Sequence, residues 1–197
     1  KQGRRLRFQR LDVVLQEIRL VRAQLLDATE AVVECGVAPE KPQGRGVDRP
    51  GFWHKEVPSH APEWLTRWHR DDADPDETQW YFVADSVPAL AWLANYGAIE
   101  LNPWTSTATS PHQPTWALID IDPGASTTFD DVVLLARLHH TALEQLGVSG
   151  CAKVTGSQGI QIWIPIAGRY TFDDTRAWVE TLSRLVGASV PELVSWE

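Results

Sequence analysis

The apolar residues Phe8, Leu11, Val14, Leu15, Ile18, Val21 and Leu25 recur at three- and four-residue intervals. That pattern predicts an amphipathic helix from about residue 6 to 34, with Gly36 as its stop. From Gly36 to Gly51 the pattern dissolves into glycine, proline and charge (GVAPEKPQGRGVDRPG), the composition of a linker or a long surface loop. The next stretch, FWHKEVPSHAPEWLTRW, mixes aromatic, basic and proline residues, and an acidic tip precedes a short strand expected from Trp80 to Val83. Ser86, with Pro88 in the first turn, predicts a helix that ends at Gly97. AIELNPW then reads as a short strand leading into the turn-rich TSTATSPHQP.

WALIDID, Trp116 to Asp122, has the run of a buried strand and halts at Pro123-Gly124. Thr127 and Thr128, each followed three positions later by an aspartate, offer capping-box starts for a helix reaching Gly147. Two strands follow, Ala152 to Thr155 and Ile160 to Ile166, joined by GSQG. Period-two alternation puts the isoleucines of the second on one face and Gln161, Trp163 and Pro165 on the other. Thr171 with Asp174 starts the last helix. A turn this short between Thr155 and Ile160 demands an antiparallel hairpin, so the sheet is mixed or antiparallel and the class is α+β, a sheet core flanked by helices. The organisation expected is an N-terminal helical region over 1–36, a linker or loop over 37–50 and a domain over 51–197, without internal repeats.

Composition narrows the picture. The 197 residues are 43% hydrophobic and 22% charged, which is ordinary for a globular chain and excludes global disorder. The chain lacks methionine and stops at Glu197 just after an apolar stretch, so it is expected to be a segment of a longer protein, incomplete at its C-terminal end. No apolar run approaches the roughly 20 residues that span a bilayer, so no membrane partner is expected, and the default compartment is the cytoplasm. The net charge of −8 excludes indiscriminate coating of nucleic acid. Yet Lys1, Arg4, Arg5, Arg7, Arg10, Arg19 and Arg22 crowd the start, a solvated helix face or a local basic arm, while Asp71, Asp72, Asp74, Asp76 and Glu77 crowd the middle. Cys35 and Cys151 form no CxxC and suggest neither a zinc knuckle nor a disulfide framework.

Candidate chemistry gathers in two places. Asp120 and Asp122, one residue apart at the end of a strand, project from one face, and two such carboxylates suit Mg²⁺ or Mn²⁺; read alone, the pair also fits a solvated turn. KVTGSQG followed by IQIWIPI is a strand, a glycine-rich turn and a strand. Backbone N–H groups in such a turn can cradle phosphate beside Lys153, although the same pattern describes a plain hairpin.

Taken together these motifs resemble a family, the polymerase domain of bacterial ATP-dependent DNA ligase D, within the archaeo-eukaryotic primase superfamily. GFWHKEVPSHAPEW is similar to the family's GFFxKxxPxxxPxW and VPALAWLANYGAIELNPW to its LPTLxWLAxxGAIELHPW. DIDPG at Asp120 matches DLDPG, and KVTGSQGIQIWIPI resembles KTSGGKGLHVxVP, in the same order over Gly51 to Pro165. The resemblance implies a primase-polymerase fold and nucleotidyl transfer at DNA ends during end joining. It makes Asp120 and Asp122 catalytic metal ligands, for Mn²⁺ or Mg²⁺, with a third carboxylate beyond the end of this chain. It places Trp53 against the incoming base, Lys55 beside it, and Lys153, Thr155, Gly156, Ser157, Gln158, Gly159, Gln161 and Asn102 around the nucleotide. Nucleoside triphosphates and DNA ends are the implied partners, with a Ku-type end-binding protein and a ligase module as further ones.

Asn102, Gln158 and Gln161 stand where the family has histidine, lysine and histidine. Each swap removes actual or potential positive charge, and a charged hydrogen bond to phosphate is about twice as strong as a neutral one. A second reading is therefore a catalytically weakened or inactive module that binds DNA ends or repair partners. A third is a sugar-nucleotide transferase, which also holds Mn²⁺ with paired aspartates. His54, His60 and His69 fit no common metal spacing and read as surface or loop polar residues, and His139 and His140 as partly buried helix residues. Among the ten tryptophans, Trp92, Trp116 and Trp178 read as core, while Trp53, Trp64 and Trp68 are open to stacking or packing.

Overall fold

Two hydrophobic clusters organise the chain, and each belongs to its own compact unit, Lys1–Pro111 and His112–Glu197. The structure is a computed structural model; it describes residues 31–37, 52–155, 158–167 and 169–196, with the backbone alone for 31–37, 52–54 and 99.

In the first unit, β1 (Ala31–Val37) pairs antiparallel with β2 (Phe52–His54), β4 (Trp80–Val83) and β5 (Ala98–Thr107), and β3 (Arg67–His69) pairs with β4. β1 corrects the sequence reading: a helix was expected to reach residue 34, and Ala31–Val37 is a strand. The helical periodicity ends at Leu25, whereas Val32 and Val33 are β-branched and find backbone partners in β4 and β5. The rest of the expected helix lies outside the described residues. Helix α1 (Val87–Asn95) begins as expected, Ser86 Oγ accepting the Ala89 N–H at 3.3 Å, with Pro88 in the first turn. It stops where Gly97 adopts a φ of 92°, which a side chain would resist. Ala89 and Leu93 pack on Leu65 and Phe82. Trp92 stacks on Tyr96 at 5.0 Å, with the His60 ring 5.6 Å from Tyr96. Trp68 packs edge-on against Trp104 at 5.3 Å, while Trp64 is exposed.

The second unit is built on β6 (Trp116–Ile121), β7 (Cys151–Val154) and β8 (Ile160–Pro165), in the order β6-β8-β7 with both pairs antiparallel. Helices α2 (Phe129–Gln145) and α3 (Phe172–Gly187) both begin with a complete capping box, Thr128 with Asp131 and Thr171 with Asp174. Alternation decides the faces. Ala117, Ile119, Ile121, Ile160, Ile162 and Ile164 meet Val132 and Leu143 of α2 and Leu182 and Val186 of α3 in one core. Their neighbours Asp120, Gln161 and Trp163 stand on the opposite face, as the pattern predicts. Every described strand pair is antiparallel, which with the helices makes the class α+β. Trp178 corrects another expectation: it is an exposed residue of α3 rather than core. His139 is buried, whereas His140 is exposed and faces Glu144.

Candidate active site

The register of the second sheet brings three polar side chains into one row. Lys153 of β7 lies opposite Gln161 of β8, which lies opposite Asp120 of β6. Directly opposed side chains have Cβ atoms about 5 Å apart, so the row is a line of neighbours by construction. The Gln161 amide Nε2 donates to Asp120 Oδ2 at 3.3 Å, and the Trp163 indole Nε1 donates to Gln161 Oε1 at 3.3 Å. Lys153 is only 8% exposed, a cation held at the sheet rather than waving in solvent.

Asp122 stands one residue past the end of β6, beside the hairpin turn. Opposite it Gly159 has no side chain, and a Cβ there would lie 2.6 Å from Asp122 Oδ1 and 3.2 Å from both Ile121 O and Thr155 Oγ1. The glycine is what lets the carboxylate, the turn and the Thr155 hydroxyl come together. Thr155 closes the turn, its N–H and its hydroxyl both donating to the Gly159 carbonyl at 3.1 and 3.2 Å.

Asp120 feels the charge of Asp122. Partial burial pushes the Asp120 carboxyl above the ordinary aspartate value; the Gln161 amide draws it down, the charge of Asp122 pushes it up again, and Lys153 draws it down. A cation between the carboxylates would relieve both the desolvation and the repulsion. Hard oxygen donors of this kind suit Mg²⁺ or Mn²⁺, so the residues fit a divalent metal. Among the described residues no third histidine, cysteine, aspartate or glutamate completes a metal-binding group.

A cavity of about 690 Å³ opens beside the pair, its lining including Asp120, Asp122, Gly124, Thr127, His139 and Glu192. Its shaping by the loop after β6 and by residues 192–196 was not visible in the sequence, since no periodic pattern ties those two segments together. Trp163 stands on the face that alternation predicts, and its two-residue offset from Gln161 is the sequence signal for their contact. Of the other expected site residues, Gln158 is exposed in the turn, and Gly156 and Ser157 lie outside the described residues. Trp53 sits in β2, opposite Gly36, with its ring outside the described part. Lys55 and Asn102 are exposed residues of the first unit, Asn102 on β5.

An antiparallel α+β sheet that presents paired carboxylates beside a glycine-containing hairpin turn has the makings of a metal-assisted phosphate-chemistry domain. The chain belongs to the LigD primase-polymerase domain family, whose model matches residues 41–197. It is 26% identical over 147 residues to the bifunctional non-homologous end joining protein LigD of Bacillus subtilis, covering 74% of this chain and 23% of that protein. It is also 26% identical over 166 residues to the multifunctional non-homologous end joining DNA repair protein LigD of Mycobacterium tuberculosis, covering 80% of this chain and 22% of that one. The chain thus spans about a fifth of the length of these relatives. Its fold is that of the polymerase domain of M. tuberculosis ligase D, solved in complex with DNA, with a TM-score of 0.71 at 22% identity over 95% of this chain and 66% of that one.

Proposed function

We propose that this chain is a nucleotidyl-transfer module that adds nucleotides to DNA ends in end-joining repair. The observation that carries the reading is Asp120 near the end of β6 with Asp122 just past it, close enough for Asp120 to feel the Asp122 charge, beside Lys153 and the Thr155–Gly159 turn. Asp120 and Asp122 would hold Mg²⁺ or Mn²⁺. Such ions, when bound, lower the charge on the reacting phosphates and favour the attack of a 3′-hydroxyl and the departure of pyrophosphate.

The chain's own part is binding and orientation. Lys153 sets a fixed positive charge in the row beside Asp120. The turn from Thr155 to Gly159, with Gly156, Ser157 and the Gln158 amide, is the phosphate cradle on this reading, and the Thr155 N–H and hydroxyl brace it through the Gly159 carbonyl. The resemblance also implies a base-stacking role for Trp53, where an indole presents the same π-face as phenylalanine, and polar roles for Lys55 and Asn102. A nucleoside triphosphate and a DNA end are the substrates on this reading; a Ku-type protein and a ligase module are partners of the larger protein. A second reading, a module that binds DNA ends with weakened transfer, is favoured by the neutral Asn102, Gln158 and Gln161 at positions where the resembling motifs carry basic residues.

Primer extension on a duplex with a recessed end separates the two. With Mn²⁺ and deoxynucleoside triphosphates, the protein is expected to extend the primer, and the Asp120→Ala/Asp122→Ala variant to lose at least about a hundredfold of that rate with its thermal midpoint unchanged, as loss of the ligands of a catalytic metal would do. Extension that survives the double substitution overturns the assignment, and DNA binding without extension in either protein favours the second reading.

A further inference from the structure

The Trp163–Gln161–Asp120 chain has a directional logic that the metal assignment alone does not use. An indole N–H can only donate, and an ionised carboxylate can only accept. The amide between them is therefore held in one orientation, its oxygen toward Trp163 and its NH₂ toward Asp120, at 3.3 Å on each side. Turning the amide over would set donor against donor at one end and acceptor against acceptor at the other. Trp163 is itself immobilised: it is 3% exposed, with its ring edge-on to Trp116 at 6.2 Å. A buried indole N–H needs an acceptor, and Gln161, two residues back on the same strand face, supplies it.

We propose that Trp163 is a positioning residue that acts through Gln161: its N–H locks the Gln161 amide onto one oxygen of Asp120 and so fixes the rotamer in which Asp120 meets its metal. The inference rests on the reading of Asp120 as a metal ligand. It gives Gln161 a different task from that of a phosphate contact, since its NH₂ group points at Asp120. A neutral residue here then marks a change of job, from charging the nucleotide pocket to orienting a carboxylate. Outer partners of this kind set metal affinity by about 10–100-fold in other sites.

Trp163→Phe tests it, because phenylalanine keeps a buried ring against Trp116 and deletes only the N–H. The expected result is a Mn²⁺ dissociation constant raised about tenfold in the variant, with faster solvent exchange of the Gln161 side-chain NH₂ by NMR. In primer extension kcat should fall while the nucleotide KM stays put. A merely structural role is separated by Gln161→Leu: in that background Trp163→Phe should have no further effect on Mn²⁺ affinity, since the path is already cut. Equal losses in both backgrounds, or unchanged Mn²⁺ affinity and amide exchange in Trp163→Phe, overturn the proposal while leaving the metal assignment standing. Mn²⁺ affinity that survives Asp120→Ala/Asp122→Ala overturns the assignment itself, and the proposal with it.

Discussion

At Gly159 one hydrogen atom decides whether Asp122 keeps its place. A methyl group there would meet Asp122 Oδ1 at 2.6 Å, but that oxygen is the free end of a side chain and can swing away, whereas Ile121 O at 3.2 Å is backbone and yields little. Gly159→Ala is therefore expected to leave the fold in place, with a thermal midpoint within a few degrees of the parent, and to weaken Mn²⁺ binding by about tenfold by displacing the carboxylate. Calorimetric titration beside a thermal melt checks both halves; unchanged affinity would mean that Asp122 is not a ligand. His139 carries a different single-residue consequence. Its Nδ1–H donates to Leu135 O at 2.8 Å and Nε2 faces the Ser183 hydroxyl at 3.4 Å, and burial lowers its pKa below the ordinary histidine value against the pull of the Leu135 carbonyl. A base easier to protonate in the unfolded chain favours unfolding as pH falls. Stability is thus full above the unfolded value of about 6.5 and declines as pH drops from there toward the lower folded value. Denaturant midpoints at stepped pH should show that decline, and His139→Gln should flatten it. At this scale the sequence was legible where alternation settles a face, as for Asp120 and Gln161. It was silent on which side chain Gln161 would touch, because cross-strand register depends on two segments 41 positions apart.

The helices were the most legible elements, and the reason is local chemistry at their first turns. In α3 the Thr171 hydroxyl accepts the Asp174 N–H at 3.1 Å, and the Asp174 carboxylate accepts the Thr171 N–H at 2.9 Å, a closed exchange readable from two residues three apart. Thr171→Ala should cost about 1 kcal/mol by urea unfolding. These bonds hold the Asp174 carboxyl below its ordinary value. The box therefore stabilises the fold above the unfolded carboxyl range and loses that effect as pH falls through the depressed value, so the deficit of Thr171→Ala should shrink in acid. A deficit of equal size at neutral and acid pH would mean that the carboxylate takes no part. Strands were legible when long enough to alternate, or when a compact apolar run such as Trp80–Val83 stands between polar stretches. Ile160–Pro165 shows a face, whereas Phe52–His54 and Arg67–His69 have three residues each, too few for any period, and exist because β1 and β4 offer them partners. β1 is the converse case: Gly36 offers a helix stop, but the two valines before it prefer extended chain.

Charge is the property that only the whole molecule shows. The first 22 residues hold seven basic and two acidic side chains, a net +5, so the other residues carry −13 of the total −8. A body of that sign repels a phosphate backbone over roughly the 8–10 Å that physiological salt allows. If the protein works on DNA ends, the attraction has to come from a few placed cations, and the N-terminal arginines are the densest group available. Replacing Arg4, Arg5, Arg7 and Arg10 by glutamine should then weaken binding to a duplex end several-fold near 0.1 M salt. It should also flatten the plot of log K against log salt by about 0.9 for each arginine that meets a phosphate. Anisotropy titrations of a labelled duplex at stepped salt give both numbers. A parent and variant with the same affinity and slope would show that this stretch is a solvated face, and that the cations meeting DNA are elsewhere in the chain. A lower affinity with an unchanged slope would point to loss of shape rather than of charge, because ion release is counted by the slope alone.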